Sequence, residues 1–253
     1  MFGLALVATY KCLFGISKFI DKATAGDMDV IHNSGFSFLT LAHSDFIIWF
    51  IFEKLERPLR YPHDTRFTTE DAEAFAAKYM KHPLGEKMTF QDLWDSRTRA
   101  TLSPIEEGVF AHWHSGRIVL VGDSVHKMTP NLALGANTAI ESAAALGNAL
   151  NTALKDAQGT SNGHLDQAAV AAAFKQYQQN RLARATECKD KTGMNTRIHA
   201  WDGWFWKFFV KKVMILFGEK FVLKDTANLI LGGVKLDYVP LKNPHSGTIP
   251  WLD

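Results

Sequence analysis

The sequence predicts an α+β fold: a mixed β-sheet covered by helices, with a helical C-terminal region. Three observations carry it. Phe36 to His43 (FSFLTLAH) and the run from Phe46 (FIIWFIFEKL) are apolar, aromatic-rich stretches separated only by Ser44-Asp45, the pattern of a β-hairpin. Asn137 to Leu154 places small and aliphatic residues at the spacing of a helix buried against a sheet. Gln167 to Lys191 is a long helix-forming run.

The other elements follow in chain order. Residues 4–17 read as a strand entering the sheet. Prolines and charges break the pattern from Arg57 to Asp64, and Thr68-Thr69-Glu70-Asp71 then opens a helix reaching about Lys81, with hydroxyls to cap it and acids in its first turn. A short helix is expected over Thr89 to Ser96, and strands over Arg97 to Leu102 and Ile118 to Val121. Lys155 to His164 reads as a surface loop, and two final helices as Trp201 to Phe217 and Glu219 to Leu231. Residues 1–120 would then carry the sheet and its helices and residues 121–253 a Gly-Asp loop and the C-terminal helices, together one compact unit.

Composition removes several classes of function. With 28 Lys and Arg against 26 Asp and Glu, the net charge of +2 gives no reason to expect nucleic acid as a partner. Cys12 and Cys188 lie far apart without metal-ligand spacing, so neither a disulfide framework nor a metal site is expected, and a reducing, cytoplasmic setting is. The opening residues lack the basic segment and cleavage site of a secretory leader. Trp201 to Phe217 comes nearest to a membrane span, but Lys207, Lys211 and Lys212 interrupt it. Its aromatics Trp201, Trp204, Phe205, Phe208 and Phe209 suit packing or a homodimer interface; the alternative is a peripheral seat on a membrane surface.

The most specific segment is GRIVLVGDSVHKMTPNLALGANTAIESAAALGNAL, Gly116 to Leu150. It resembles the second flavin-contacting motif of the group A flavoprotein monooxygenases, in which a strand ends at Gly-Asp, a loop passes through Pro and glycines, and a helix follows. YKCLFGIS, LSPIEEGVFAHWHSGR and LDYVPLKNPHSGTIPW extend the resemblance over nearly the whole chain, towards the epoxidase branch of fungal indole-diterpene and meroterpenoid pathways. It implies a substrate-binding domain of the flavin monooxygenase type. In that motif the aspartate binds ribityl hydroxyls and the loop brings backbone N–H groups and a helix N-terminus to the flavin. The matching positions are Gly122, Asp123, Pro130, Gly135 and Asn137.

The family also carries a βαβ unit with Gly-x-Gly-x-x-Gly for the adenosine diphosphate half of FAD, and no such pattern occurs in this sequence. Where the family reads close to Asn-Phe-Gly-Gln-Gly-Gly-Asn, this chain has Asn131-Leu132-Ala133-Leu134-Gly135-Ala136-Asn137, and Ser142 stands where an aspartate is usual. Both departures lead to the expectation of a truncated homologue that works without a cofactor; the alternative is an FAD-dependent monooxygenase fragment or subunit completed by a partner, or a substrate-binding protein without catalysis.

A cofactor-free member of this branch would act on its epoxide products, as an isomerase or cyclase opening a prenyl epoxide by general acid catalysis. Asp123 is the first candidate acid, since a carboxylate without flavin hydroxyls would face an apolar cavity that favours its protonated form. His126, Tyr10, His32 and Glu107 are the further candidates, set against inherited folding, hydrogen-bonded core or capping roles, as are Glu106 and His43. Phe36, Phe38, Trp49 and Phe50, with Phe52, would line the pocket of a hydrophobic prenylated substrate, as would Leu132 and Leu134, which would fill part of the volume of a flavin ring.

Overall fold

The computed structural model describes residues 6–158, 165–214 and 227–240. Two compact units emerge, the first from Ala5–Glu107 and Gly193–Lys211, the second chiefly from Gly108–Thr192 and Lys212–Asp253.

The first unit is built on strands β1 (Val7–Lys18), β2 (Met28–His32), β3 (Phe36–Ala42), β4 (Phe46–Arg60) and β5 (Arg97–Val109), ordered β2-β3-β4-β1-β5. Every described pairing is antiparallel, which corrects the expected mixed sheet. Short connections account for the two hairpins: β2 and β3 are joined by a turn through Gly35 at φ +86°, and β3 and β4 by His43–Asp45, so β3 must reverse both its neighbours, while β1 meets β4 and β5 antiparallel across longer connections. Helix α1 (Thr69–Ala77) begins at a reciprocal cap, in which the Asp71 N–H donates to Thr68 Oγ1 at 3.2 Å and the Thr68 N–H to Asp71 Oδ2 at 2.8 Å. It stops short of Lys81, because the Lys78 and Tyr79 amides turn back to Phe75 and Ala76 in a tighter turn. Helix α2 is Phe90–Asp95.

The sheet is covered on both faces, which is why β4 reads as a continuous apolar run rather than an alternating one. Leu13, Phe38, Trp49 and Ile51 pack with Phe75 and Ala76 of α1 and Phe90, Leu93 and Trp94 of α2. Tyr10, Cys12, Phe14, Leu39, Phe50 and Phe52 occupy the opposite face, with Ala200. The register sets Gly15 beside Trp49, and a Cβ on Gly15 would fall 2.0 Å from the indole.

In the second unit, the end of β5 pairs with β8 (His126–Lys127), and β6 (His114–Ser115) pairs with β7 (Ile118–Val119). The strand expected to Val121 is thus only two residues long, because Gly122 at φ +65° turns the chain into a 3₁₀ turn at Gly122–Ser124. Helix α3 (Leu134–Gln158) starts one turn before Asn137 and takes in Lys155; α4 (Gln167–His199) runs past Lys191. Trp113, Val125, Ala145, Ala149, Ala173, Tyr177 and Ala185 form the core between them. Of the two expected C-terminal helices, α5 (Trp204–Phe208) leads into a wider π-type turn, Phe209–Met214, and residues 227–231 are helical; the stretches from 215 to 226 lie outside the described residues.

Candidate functional site

The Gly-Asp loop is the feature of the second unit with the most specific chemistry. A Cβ on Gly122 would lie 3.0 Å from the Cβ of Ala139, so the missing side chain lets the strand end settle against α3. Asp123 next to it is exposed. Pro130–Leu132 forms a second 3₁₀ turn, which Ala133 closes at φ +53° before α3 begins. The left-handed backbone that a glycine would adopt is therefore kept by an alanine, at a cost of about 1–2 kcal/mol. Asn137 Nδ2 donates to the Ala133 carbonyl at 3.0 Å, and a Cβ at Gly135 would meet nothing within 4 Å.

These observations answer whether the residues suit a flavin. Ala133, Ala136 and Asn137 are exposed, as is Asp123, so a carboxylate and the free N–H groups at the start of a 25-residue helix face solvent on neighbouring turns. Leu134 turns inward onto Met128, Cys188 and Leu229. Leu132, by contrast, is 37% exposed at the loop surface. The loop fits the ribityl and ring end of FAD. Asp123 does not face an apolar cavity, which removes the desolvation on which its role as an acid rested.

Behind the loop lies a polar core. His126 and Ser142 are fully buried, with Nε2 and Oγ 2.8 Å apart. The equally buried Arg181 donates to Ser142 Oγ at 3.2 Å, to Glu141 Oε2 at 2.7 Å and to the Thr138 carbonyl at 3.3 Å. Arg184 grips Glu141 with two bonds, 2.5 and 2.7 Å. Burial, and then the charge of Arg181, push the imidazole of His126 below its usual range and keep it neutral. His126 thus supports the loop from inside. The sequence reading missed Arg181 and Glu141; the only signal was their charge within otherwise small-residue or helical runs.

In the first unit, Tyr10 and Glu107 enter one network. Tyr10 Oη donates to Asp202 Oδ2 at 3.0 Å, Lys54 Nζ reaches Asp202 Oδ1 at 2.5 Å, and Arg197 donates to Glu107 Oε1 at 2.7 Å. Asp202 is placed by the end of α4: Trp201 sits at φ +41°, its N–H reaches the Ile198 carbonyl and that of Asp202 the Arg197 carbonyl. Burial first, and then Asp202, raise the Tyr10 phenol, so its proton stays on Oη. His32 stands with its ring 5.0 Å from His199 and stacked 6.3 Å from Trp201; burial lowers both imidazoles, that of His199 to about 3.

The expected substrate aromatics are split by the two-residue period of the strands. Phe38 and Trp49 are 1% exposed in the core beneath α1 and α2, with Phe36 against them. Phe50 is on the other face, half-buried, its ring 5.2 Å from Phe14. Phe14 and Ile105, which the sequence reading passed over, share that face; the alternation Tyr10, Cys12, Phe14 was the available signal.

Comparison with known proteins adds a family. A model for an FAD binding domain matches residues 54–192. The chain is similar to the FAD-dependent monooxygenase penE of Penicillium thymicola, 33% identical over 94% of this chain and 49% of that protein. It is likewise similar to the FAD-dependent monooxygenase ausM of Aspergillus calidoustus, at 32% over 99% and 56%. It spans about half the length of these relatives. Among solved structures, Klebsiella pneumoniae HpxO complexed with FAD and uric acid superposes with a TM-score of 0.63 at 18% identity, over 89% of this chain and 53% of that one. A salicylate hydroxylase substrate complex gives 0.54 at 17%, over 88% and 53%. The family match and the FAD-dependent relatives overturn the expectation of a protein without a cofactor and point to FAD, while the solved structures support the fold.

Proposed function

The chain belongs to the FAD binding domain family, and from that premise we propose that it supplies the flavin-ring loop and the substrate sheet of an FAD-dependent monooxygenase acting on an apolar, prenyl-bearing secondary metabolite. The observation that carries the reading is that Asp123 and the first residues of α3, Ala136 and Asn137, are all exposed, in a loop whose left-handed turn persists at Ala133.

Bound FAD would supply the redox and oxygen chemistry. The chain's own residues would do the rest. Asp123 would accept hydrogen bonds from ribityl hydroxyls, and the N–H groups of residues 134–137 would donate to the electron-rich edge of the ring. The half-buried Phe14 and Phe50, with Leu41 and Ile105, would offer the substrate an apolar surface and exclude water. Tyr10 keeps its proton directed at Asp202, and Glu107 is held by Arg197, so both position the end of α4 against the sheet rather than deliver protons.

Acid-catalysed opening of an epoxide gains no support from these residues: His126 and His32 are kept neutral by burial, Tyr10 and Glu107 are committed to partners, and Asp123 is exposed.

The test is titration of the chain with FAD, FMN and riboflavin, followed by quenching of flavin fluorescence. A loop that holds only the ring and ribityl end binds all three within a few-fold, and Asp123→Ala weakens each about tenfold, the loss of one or two hydrogen bonds to a charged group. Absence of quenching, or an Asp123→Ala variant that binds like the parent, would sink the reading.

A further inference from the structure

The short helix α5 carries an apolar face that nothing among the described residues covers. Trp204 is 80% exposed, Phe205 52% and Phe208 55%, and at helical spacing the three lie within about a third of a turn. They form a braced platform rather than loose side chains: the Phe205 ring sits 6.2 Å from Trp204, 5.2 Å from Trp206 and 6.3 Å from Phe209.

The segment that carries this face has charge of one sign only. Lys207 and Lys211 are exposed and stand over the Trp201 ring at 5.5 and 4.8 Å, Lys212 follows in sequence, and residues 203–214 contain no acid. Asp202, the nearest acid in sequence, is taken up by Tyr10 and Lys54. We propose that α5 seats on the surface of an anionic phospholipid bilayer, its aromatics entering the headgroup layer and its lysines meeting the lipid phosphates.

A protein partner would be a poorer match, because the centres of protein interfaces favour aromatics but are depleted in lysine. A bilayer accommodates both: indole and phenyl rings settle at the headgroup level, and lysine stems lie along apolar surface while their ammoniums reach the phosphates. No described helix is long and apolar enough to cross a membrane, so the contact lies in the interface plane.

Vesicle co-sedimentation of the 253-residue chain tests this, with vesicles of phosphatidylcholine alone or with about one-third phosphatidylserine. The chain is expected to bind the anionic vesicles at least about tenfold more tightly, with loss in high salt and a blue shift of tryptophan emission. Trp204→Ser/Phe205→Ser/Phe208→Ser should lose at least about tenfold of that binding with an unchanged melting temperature, since all three side chains are exposed. Lys207→Gln/Lys211→Gln should lose the preference for anionic lipid. The proposal fails if the chain ignores anionic vesicles, or if the triple variant binds like the parent. It fails equally if those three substitutions break up a dimer in lipid-free solution without changing vesicle binding, which would give the face to a second copy.

Discussion

Nε2 of His126 lies 2.8 Å from Oγ of Ser142, and neither side chain reaches solvent. Arg181 donates to that hydroxyl, and burial together with the Arg181 charge holds the histidine neutral.

Ser142→Ala should therefore cost about 1–3 kcal/mol, the penalty for stranding buried polar groups on both His126 and Arg181. Arg181→Met should cost about 3–5 kcal/mol by breaking the pair with Glu141. The two share a partner, so their costs should not add. Urea unfolding measures all three variants; a Ser142→Ala cost below about 0.5 kcal/mol would contradict the assignment.

The buried histidines set an acid limit. His32, His126 and His199 all have folded-state affinities for protons below that of an unfolded imidazole, for which burial is the leading cause. A depressed histidine contributes stability above the unfolded value near 6.5 and loses it as pH falls, because the unfolded chain takes the proton first. Stability should drop between about pH 6.5 and 4.5, before carboxylates such as Glu53 and Glu141, which are depressed by lysine and arginine partners despite burial, begin to contribute. His199→Leu should flatten that slope by up to about 1.4 kcal/mol per pH unit. A slope unchanged in unfolding curves taken across this window would refute the account.

Two glycine-related positions in the loop should keep the fold equally intact but part company in flavin binding. Ala133→Gly relieves the left-handed alanine and should stabilise by up to about 1 kcal/mol, with flavin binding equal or tighter. Gly135→Ala has room and a helical position, so it should also leave the fold intact or up to about 1 kcal/mol more stable, yet weaken flavin binding where the backbone must approach the ring. Melting curves paired with the flavin titration separate the two effects.

Gly15→Ala probes the sheet. With its Cβ 2.0 Å from the Trp49 ring, and that ring tied by Nε1 to Ser17 Oγ at 2.7 Å, the change should cost about 3 kcal/mol or more. A soluble variant melting within a few degrees of the parent would show that the ring can move.

The hairpin of β3 and β4, both long helices and the Gly-Asp loop were legible without coordinates. Each is written in local terms: two apolar runs around a polar pair, a 3.6-residue repeat, and glycines where a turn or close approach requires them. The mixed sheet was misread because strand direction depends on which runs become neighbours: short turns set it for β2, β3 and β4, but β1 finds β4 and β5 only through long-range antiparallel pairing.

By itself, the sequence determined the α+β class, the position of the flavin-type loop at Gly122 to Asn137 and the family resemblance, because local spacing and turn chemistry are properties of neighbouring residues. The tertiary structure alone decided that Phe50 and Trp49 serve opposite faces, that Asp123 is exposed while His126 is sealed beneath it, and that Tyr10 answers to an aspartate 192 positions away. Burial and long-range partners fix those properties, and they are set only when the chain closes on itself.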